Sequence, residues 1–387
     1  MSPLSLHPWR IGIDGEALRR PLTGVGRYVF HIGVALEQLL PMASFFVYAR
    51  GPGAALALPS SRWQLRLEPR EHWRRLPSVA WVKWRSPRLI AADALDAYWA
   101  GRTLMPGLPP GVRGVSTVHD LNAWEVPETM PFKHRWAHRF WFAGDVRRAD
   151  ALVCNSQGTA ARLVRRLGRP ADAVARPGVD ASFADPALRL PPGPRPPGLL
   201  ALGLGAPYLL AVATLEPRKN LGALLQAFVA LKREGRLPAE WRLALIGAPG
   251  WGTQTLRQAL ADAAPWGVVS TGYVDDALLP QLYRHAEMLV FPSLYEGFGM
   301  PVIEARACGT PVVVSDVPEL REAAGEDGVV VAPTAEGIAA GILRARQQPR
   351  PSPVGVAAQH SWAEAARVMA QLLLARRTAG AAGDPPA

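Results

Sequence analysis

The chain has 387 residues, more than one ordinary hydrophobic core holds and enough for two domains that each bury their own. The formal charge is +11, and residues 1–200 hold 27 Lys and Arg against 15 Asp and Glu, so the first half carries the whole excess. Two cysteines argue against a disulfide framework, and an N-terminus without an apolar run argues against an export signal; both point to a reducing, cytoplasmic compartment.

Residues 9–13 read as a strand and 24–40 as a helix with Val25, Val29, Ile32 and Leu36 on one face. Further strands are expected at 43–49, 97–100, 115–118 and 151–155, with helices around 131–148 and 157–167. Residues 62–88 interleave eight cations with Trp63, Trp73, Trp81 and Trp84. Tryptophan favours the membrane–water boundary and cations favour anionic headgroups, so this stretch is a candidate for peripheral contact with an anionic membrane. The alternative is an arginine-rich surface over buried tryptophans. No nucleic-acid partner is expected, because no recognised reading module accompanies the charge.

Residues 196–215 carry no charge, but their prolines and glycines break any helix, so the stretch is not a membrane span. The proline-rich segment 186–207 reads instead as a linker. Beyond it, strands at 208–213, 241–246, 268–271 and 288–291 alternate with helices at 220–235, 253–263 and 278–285. Such alternation implies parallel sheets, hence an α/β fold with an N-terminal domain over 1–185 and a C-terminal domain over 208–360. A terminal amphipathic helix at 361–377 and a disordered tail at 378–387 complete the chain.

The most informative segment is 291–316, FPSLYEGFGMPVIEARACGTPVVVSD. It places Glu296 and Glu304 around a Gly-Phe-Gly-Met-Pro turn, with Pro301 opening a helix that Gly309 and Pro311 stop. A helix opening at a strand's carboxyl end offers unpaired N–H groups to a phosphate, and carboxylates beside it accept hydrogen bonds from sugar hydroxyls. The turn therefore suits a nucleotide sugar, with Gly297, Phe298, Gly299 and Met300 allowing the donor close to the backbone. The plainer alternatives are a helix-end charge for Glu304 and an exposed loop carboxylate for Glu296.

Arg218 and Lys219 stand between a strand and a helix, where fixed cations suit the developing charge of a diphosphate leaving group, with Glu216 positioning them. A solvated charge pair is the alternative. Gly24, Val25 and Gly26 precede a helix and could cap the diphosphate from the first domain, whereas Arg27 is equally well a surface charge. His119 ends a strand and is followed by Asp120; a lone histidine is more often structural, and Asp120 either orients it or binds the acceptor. Gly250 and Trp251 could lie near a nucleobase, or Trp251 packs on its own loop. No Asp-x-Asp pair occurs, and the side chains of Asp275 and Asp276 point apart, so neither a metal site nor any cofactor is expected.

Six motifs in order, TGVGRY (23–28), VHDL (118–121), VCNS (153–156), PGVD (177–180), TLEPRKN (214–220) and the Glu-x7-Glu segment, resemble glycosyltransferase family 4 over nearly the whole chain. The resemblance implies a GT-B fold, two Rossmann-like parallel-sheet domains facing a cleft, with the terminal helix packed back on the first domain. It implies a retaining transferase in which Glu304 binds the donor ribose, Glu296 binds the transferred sugar near its C3 hydroxyl, and Arg218 and Lys219 hold the diphosphate. By the same resemblance His119 contacts the donor sugar. The overall pattern is most similar to bacterial mannosyltransferases of surface polysaccharide and lipopolysaccharide assembly. That favours GDP-mannose as donor and a glycan or lipid-linked acceptor at the inner face of the cytoplasmic membrane. A UDP-sugar or deoxyhexose donor and a non-catalytic membrane-associated scaffold are the rival readings. A nicotinamide dehydrogenase fails for want of Gly-x-Gly-x-x-Gly with an acidic residue downstream.

Overall fold

Runs such as 45–49, Phe-Phe-Val-Tyr-Ala, are buried at every position, which is what a parallel sheet with helices on both faces demands. The computed structural model, which describes residues 7–51, 56–130, 132–185, 192–251 and 254–375, contains two such sheets. The first is built from β1 (Arg10–Asp14), β2 (Ser44–Ala49), β3 (Trp63–Leu67), β4 (Ala97–Ala100), β5 (Arg113–Val118), β6 (Ala151–Cys154) and β7 (Ala173–Val174). All pairs are parallel, in the order β3-β2-β1-β4-β5-β6-β7. The second comprises β8 (Tyr208–Val212), β9 (Arg242–Ile246), β10 (Val268–Gly272), β11 (Met288–Phe291), β12 (Val312–Ser315) and β13 (Val329–Val331), parallel throughout in the order β10-β9-β8-β11-β12-β13.

The helices that shape the cleft are α1 (Gly24–Leu39), α2 (Ser78–Trp84), α3 (Phe132–Arg148), α4 (Gln157–Leu167), α5 (Leu221–Arg233), α6 (Met300–Ala307), α7 (Pro318–Ala324) and α8 (Trp362–Leu374). Strand order reverses beside β1 and β4 in one sheet and beside β8 and β11 in the other. Ligands of open parallel sheets bind outside the carboxyl ends of the strands at such points. The loops after β1, β5, β8 and β11 carry four of the six motifs, and VCNS and PGVD follow β6 and β7.

Strand β3 lies inside the stretch expected to be a basic surface. Its charge hid it: Arg66 is neutralised by Asp93 at 2.8 Å, and the Trp63 indole N–H donates to Glu37. Part of the expected linker is also core, for Leu199 and Leu204 are fully buried in the second unit. Residues 186–191 and the tail 378–387 lie outside the described residues.

Helix α8 packs on α1, where Ala366, Met369 and Leu373 join Tyr28, Ile32 and Leu36 in one core. Fully burying Met369 or Leu373 contributes ~1.5–3 kcal/mol each. The PGVD motif makes that crossing possible. A Cβ on Gly178 would lie 2.3 Å from the Trp362 nitrogen, and the Val179 N–H donates to the His360 carbonyl at 2.9 Å. Both cysteines are buried free thiols. Among the described residues no helix is long and apolar enough to cross a membrane.

Candidate active site

The loop after β8 tightens into a single turn at 217–219, and Asn220, in the left-handed conformation at φ 54°, starts α5. This turn aims Arg218 and Lys219 across at the loop after β11. Arg218 donates to Glu296 at 2.8 Å, to the Tyr295 carbonyl at 2.8 Å and to Glu216 at 2.7 Å. Lys219 donates to the other oxygen of Glu296 at 2.6 Å. Burial alone would push the Glu296 carboxyl up, but Arg218 and Lys219 hold it down at about 2. Burial pulls the Lys219 ammonium below its ordinary value, against the attraction of Glu296. The structure thus brings Glu216, Arg218, Lys219 and Glu296 into one ion cluster.

Gly299 takes φ 109° at the start of α6, and a Cβ there would meet Leu320 at 2.7 Å. Glu304 is the fifth residue of that helix and only 3% exposed. It accepts from the Tyr283 hydroxyl at 2.9 Å and pairs with Arg27 of the first domain at 2.9 Å. Burial pushes its carboxyl up, opposed by Arg27 and Tyr283. Arg27 is therefore a cleft residue, not a surface charge. The Phe298 side chain is in the core, edge-on to His360 at 5.8 Å, which leaves its backbone as the part that can face a donor.

His119 ends β5 and is buried, edge-on to Tyr28 at 4.9 Å. Burial lowers its pKa, which keeps the ring neutral. Its Nε2 is 2.7 Å from the Gly101 carbonyl; a carbonyl only accepts, so Nε2 carries the proton and Nδ1 keeps its lone pair. Asp120 accepts from the Asn122 N–H at 3.2 Å. On α1, Gly26 donates its N–H to the Thr23 hydroxyl at 3.2 Å, which removes it from the proposed diphosphate cap. Its lack of a side chain matters elsewhere, since a Cβ would lie 2.6 Å from the Ala17 carbonyl. Gly24 faces open space, with nothing within 4 Å of an added Cβ.

The two halves meet tightly across the cleft. A Cβ on Gly297 would lie 2.0 Å from the His119 carbonyl oxygen, so the two backbones touch. The Ser156 hydroxyl caps α4 and donates to the Gly297 carbonyl at 2.7 Å, joined by Thr159 at 3.1 Å. The Leu121 N–H donates to the Tyr295 hydroxyl at 2.8 Å, and Arg162 pairs with Glu319 at 2.6 Å. Trp251 reaches across to the first domain, its indole N–H donating to the Thr129 carbonyl at 2.8 Å. The sequence reading missed Ser156, Thr159 and Tyr295. Two of these lie in or beside quoted motifs, but their partners are more than 130 residues away.

Beside His119 and Asp120 the first domain opens into a cavity of about 510 Å³, walled by Val79, Leu104, Met130, Trp141 and Phe142. Carboxylates engage the cations at its wall. Arg102 holds Asp14 at 2.6 and 3.1 Å, and Asp145 is met by both Lys83 and Arg148. The neighbouring basic stretch turns largely inward: Trp63 and Trp81 are buried, Arg85 pairs with the buried Glu68 at 3.1 Å, and Trp84 alone of the four tryptophans is fully exposed, at 63%. Among the described residues no three His, Cys, Asp or Glu side chains are grouped to hold a metal ion.

Comparison with known proteins agrees with this geometry. Residues 22–183 match the family model for Glycosyltransferase Family 4, and 206–348 match Glycosyl transferases group 1. The O-antigen chain mannosyltransferase B of Escherichia coli is 30% identical over 86% of this chain and 89% of its own length. The serotype-specific mannosyltransferase WbdA of Escherichia coli is 29% identical over 54% of this chain, which spans only 26% of that longer protein. Among solved structures, sucrose-phosphate synthase from Thermosynechococcus elongatus superposes with a TM-score of 0.72 at 19% identity, over 94% of this chain and 98% of the other. That likeness establishes the GT-B fold. With both halves matched to transferase models and a relative aligned almost end to end, the chain belongs to glycosyltransferase family 4 and is a glycosyltransferase.

Proposed function

We propose that this enzyme transfers a mannosyl unit from GDP-mannose to a glycan or lipid-linked acceptor, with retention of configuration and without a metal ion. The observation that carries the reading is the ion cluster of Arg218, Lys219 and Glu296 in the loop that leads into α6, the helix that bears Glu304. Arg218 and Lys219 neutralise the departing diphosphate, Glu296 takes a hydroxyl of the transferred sugar, and Glu304 takes the ribose diol. The bond from the anomeric carbon to the diphosphate oxygen breaks while the acceptor oxygen bonds to the same face. The acceptor's proton passes to the departing diphosphate. His119, neutral and fixed through Gly101, contacts the sugar and is not itself charged in the process. The mannosyl assignment rests on the relative that aligns nearly end to end, named for mannosyl transfer in O-antigen chains.

Purified enzyme offered GDP-mannose, a UDP-hexose or GDP-fucose in excess EDTA is expected to release nucleotide diphosphate from GDP-mannose alone. Turnover of a UDP-sugar would overturn the donor assignment. Loss of activity in EDTA, restored by Mg²⁺ or Mn²⁺, would overturn the metal-free mechanism, and no turnover of any donor would favour the scaffold reading.

The acceptor end is assigned to the cavity beside His119 and Asp120, whose volume falls in the range of small-molecule sites. Because its cations are already engaged by carboxylates, it suits an uncharged sugar ring lying on aromatic and aliphatic walls, with Asp120 receiving a hydroxyl. Removing the Trp141 wall should raise the acceptor KM about tenfold, ~1.4 kcal/mol, with the donor KM unchanged. Equal acceptor KM values for Trp141→Ala and wild type would remove this site.

A further inference from the structure

Arg27 has a position that the roles given above do not use. It sits in the first turn of α1, in the first domain, yet its guanidinium is 2.9 Å from Glu304 of the second, with its side chain only 18% exposed. The Phe183 ring lies 5.9 Å from the guanidinium carbon. Tyr283 donates to the other oxygen of Glu304, so in this state both oxygens of the carboxylate are engaged. A ribose diol that binds the oxygen held by Arg27 competes with the guanidinium for it.

Arginine does not lose its proton in a protein, so an Arg27 displaced within this buried joint needs another anion. The donor brings one to the same place, because its diphosphate is attached to the ribose through a single methylene. We propose that Arg27 exchanges Glu304 for the donor's diphosphate: the incoming diol takes the carboxylate, and the released guanidinium becomes a third cation on the phosphates, beside Arg218 and Lys219. This rests on the reading of Glu304 as the ribose acceptor. Paired with Glu304 the arginine is a latch between the domains, and with the donor bound it ties the first domain to the leaving group. Arg27 thereby joins the two domains through either partner.

The exchange predicts opposite effects on two ligands, which a merely structural arginine would not produce. Calorimetric titration of the full chain should show that Arg27→Gln weakens GDP binding at least tenfold. Guanosine, which has the diol but no phosphate, should bind as well as to wild type or better, because its competitor for Glu304 is gone. Arg27→Lys should recover part of the GDP affinity. Equal losses for GDP and guanosine in Arg27→Gln, or GDP binding unchanged, would overturn the exchange. Uridine and UDP, titrated alongside, carry the same contrast should the base assignment be wrong. Glu304→Gln separates the two claims. If it binds the nucleoside as wild type does, the ribose reading falls and the exchange with it; if it loses the nucleoside while Arg27→Gln shows no contrast, the exchange alone falls.

Discussion

Lys219→Ala is expected to lower turnover by about ten- to a thousandfold, the range that follows loss of a group stabilising transition-state charge. The lysine lies in the cleft with its ammonium on Glu296, and its side chain is 12% exposed. On the proposed function, its removal takes away a fixed cation from the place where the diphosphate becomes a leaving group. Arg218 remains on the other oxygen of Glu296, so the carboxylate is not stranded without a partner. The melting temperature should therefore shift little while kcat collapses, and steady-state kinetics beside a thermal melt reads both. A folded variant with wild-type kcat would remove Lys219 from the diphosphate site.

Gly297→Ala is expected to be nearly as damaging for a steric reason alone. The added methyl would lie 2.0 Å from the His119 carbonyl oxygen and 3.0 Å from its carbon, and neither is a flexible side-chain end that could swing away. The two domains must stay apart or His119 must move. Misplacement of about 1 Å at such a site can cost on the order of a hundredfold in rate. Each domain keeps its own core, so the melt should change little, while small-angle scattering should show a more open molecule. Gly24→Ala is the control, because its methyl meets nothing within 4 Å. A Gly297→Ala enzyme as fast and as closed as wild type would show that the His119 contact is not needed.

What could be read from the residues, and what could not, divides along the range of the interaction. Strands such as β8 and β11 are continuous apolar runs, with Pro207 before the one and Pro292 after the other, and their ends followed from local pattern. Strand β3 did not, because Arg66 breaks the apolar run and only a partner 27 residues away, Asp93, shows why a charge is tolerated there. The cations after β8 and the carboxylates around α6 were recognisable from type and spacing, since each sits where a strand gives way to a helix. Their pairing was not. Arg27 looked like a surface charge, and Gly26 like a phosphate cap, until the approach of the two domains placed one on Glu304 and the capping of α1 occupied the other. Ser156 shows the same limit: its capping role is local and legible, whereas its hold on the Gly297 carbonyl spans 141 residues.

Transfer at this site from the same face as the departing diphosphate is the central claim, and the anomeric configuration of the product tests it most directly. The family resemblance offers no carboxylate of the matched motifs as a base behind the anomeric carbon, and Glu296, tied to Arg218 and Lys219, is read as binding a hydroxyl instead. The NMR coupling at the anomeric centre of the product should show the α configuration of the α-linked donor; a β linkage would contradict the retaining mechanism and the roles given to Glu296 and His119.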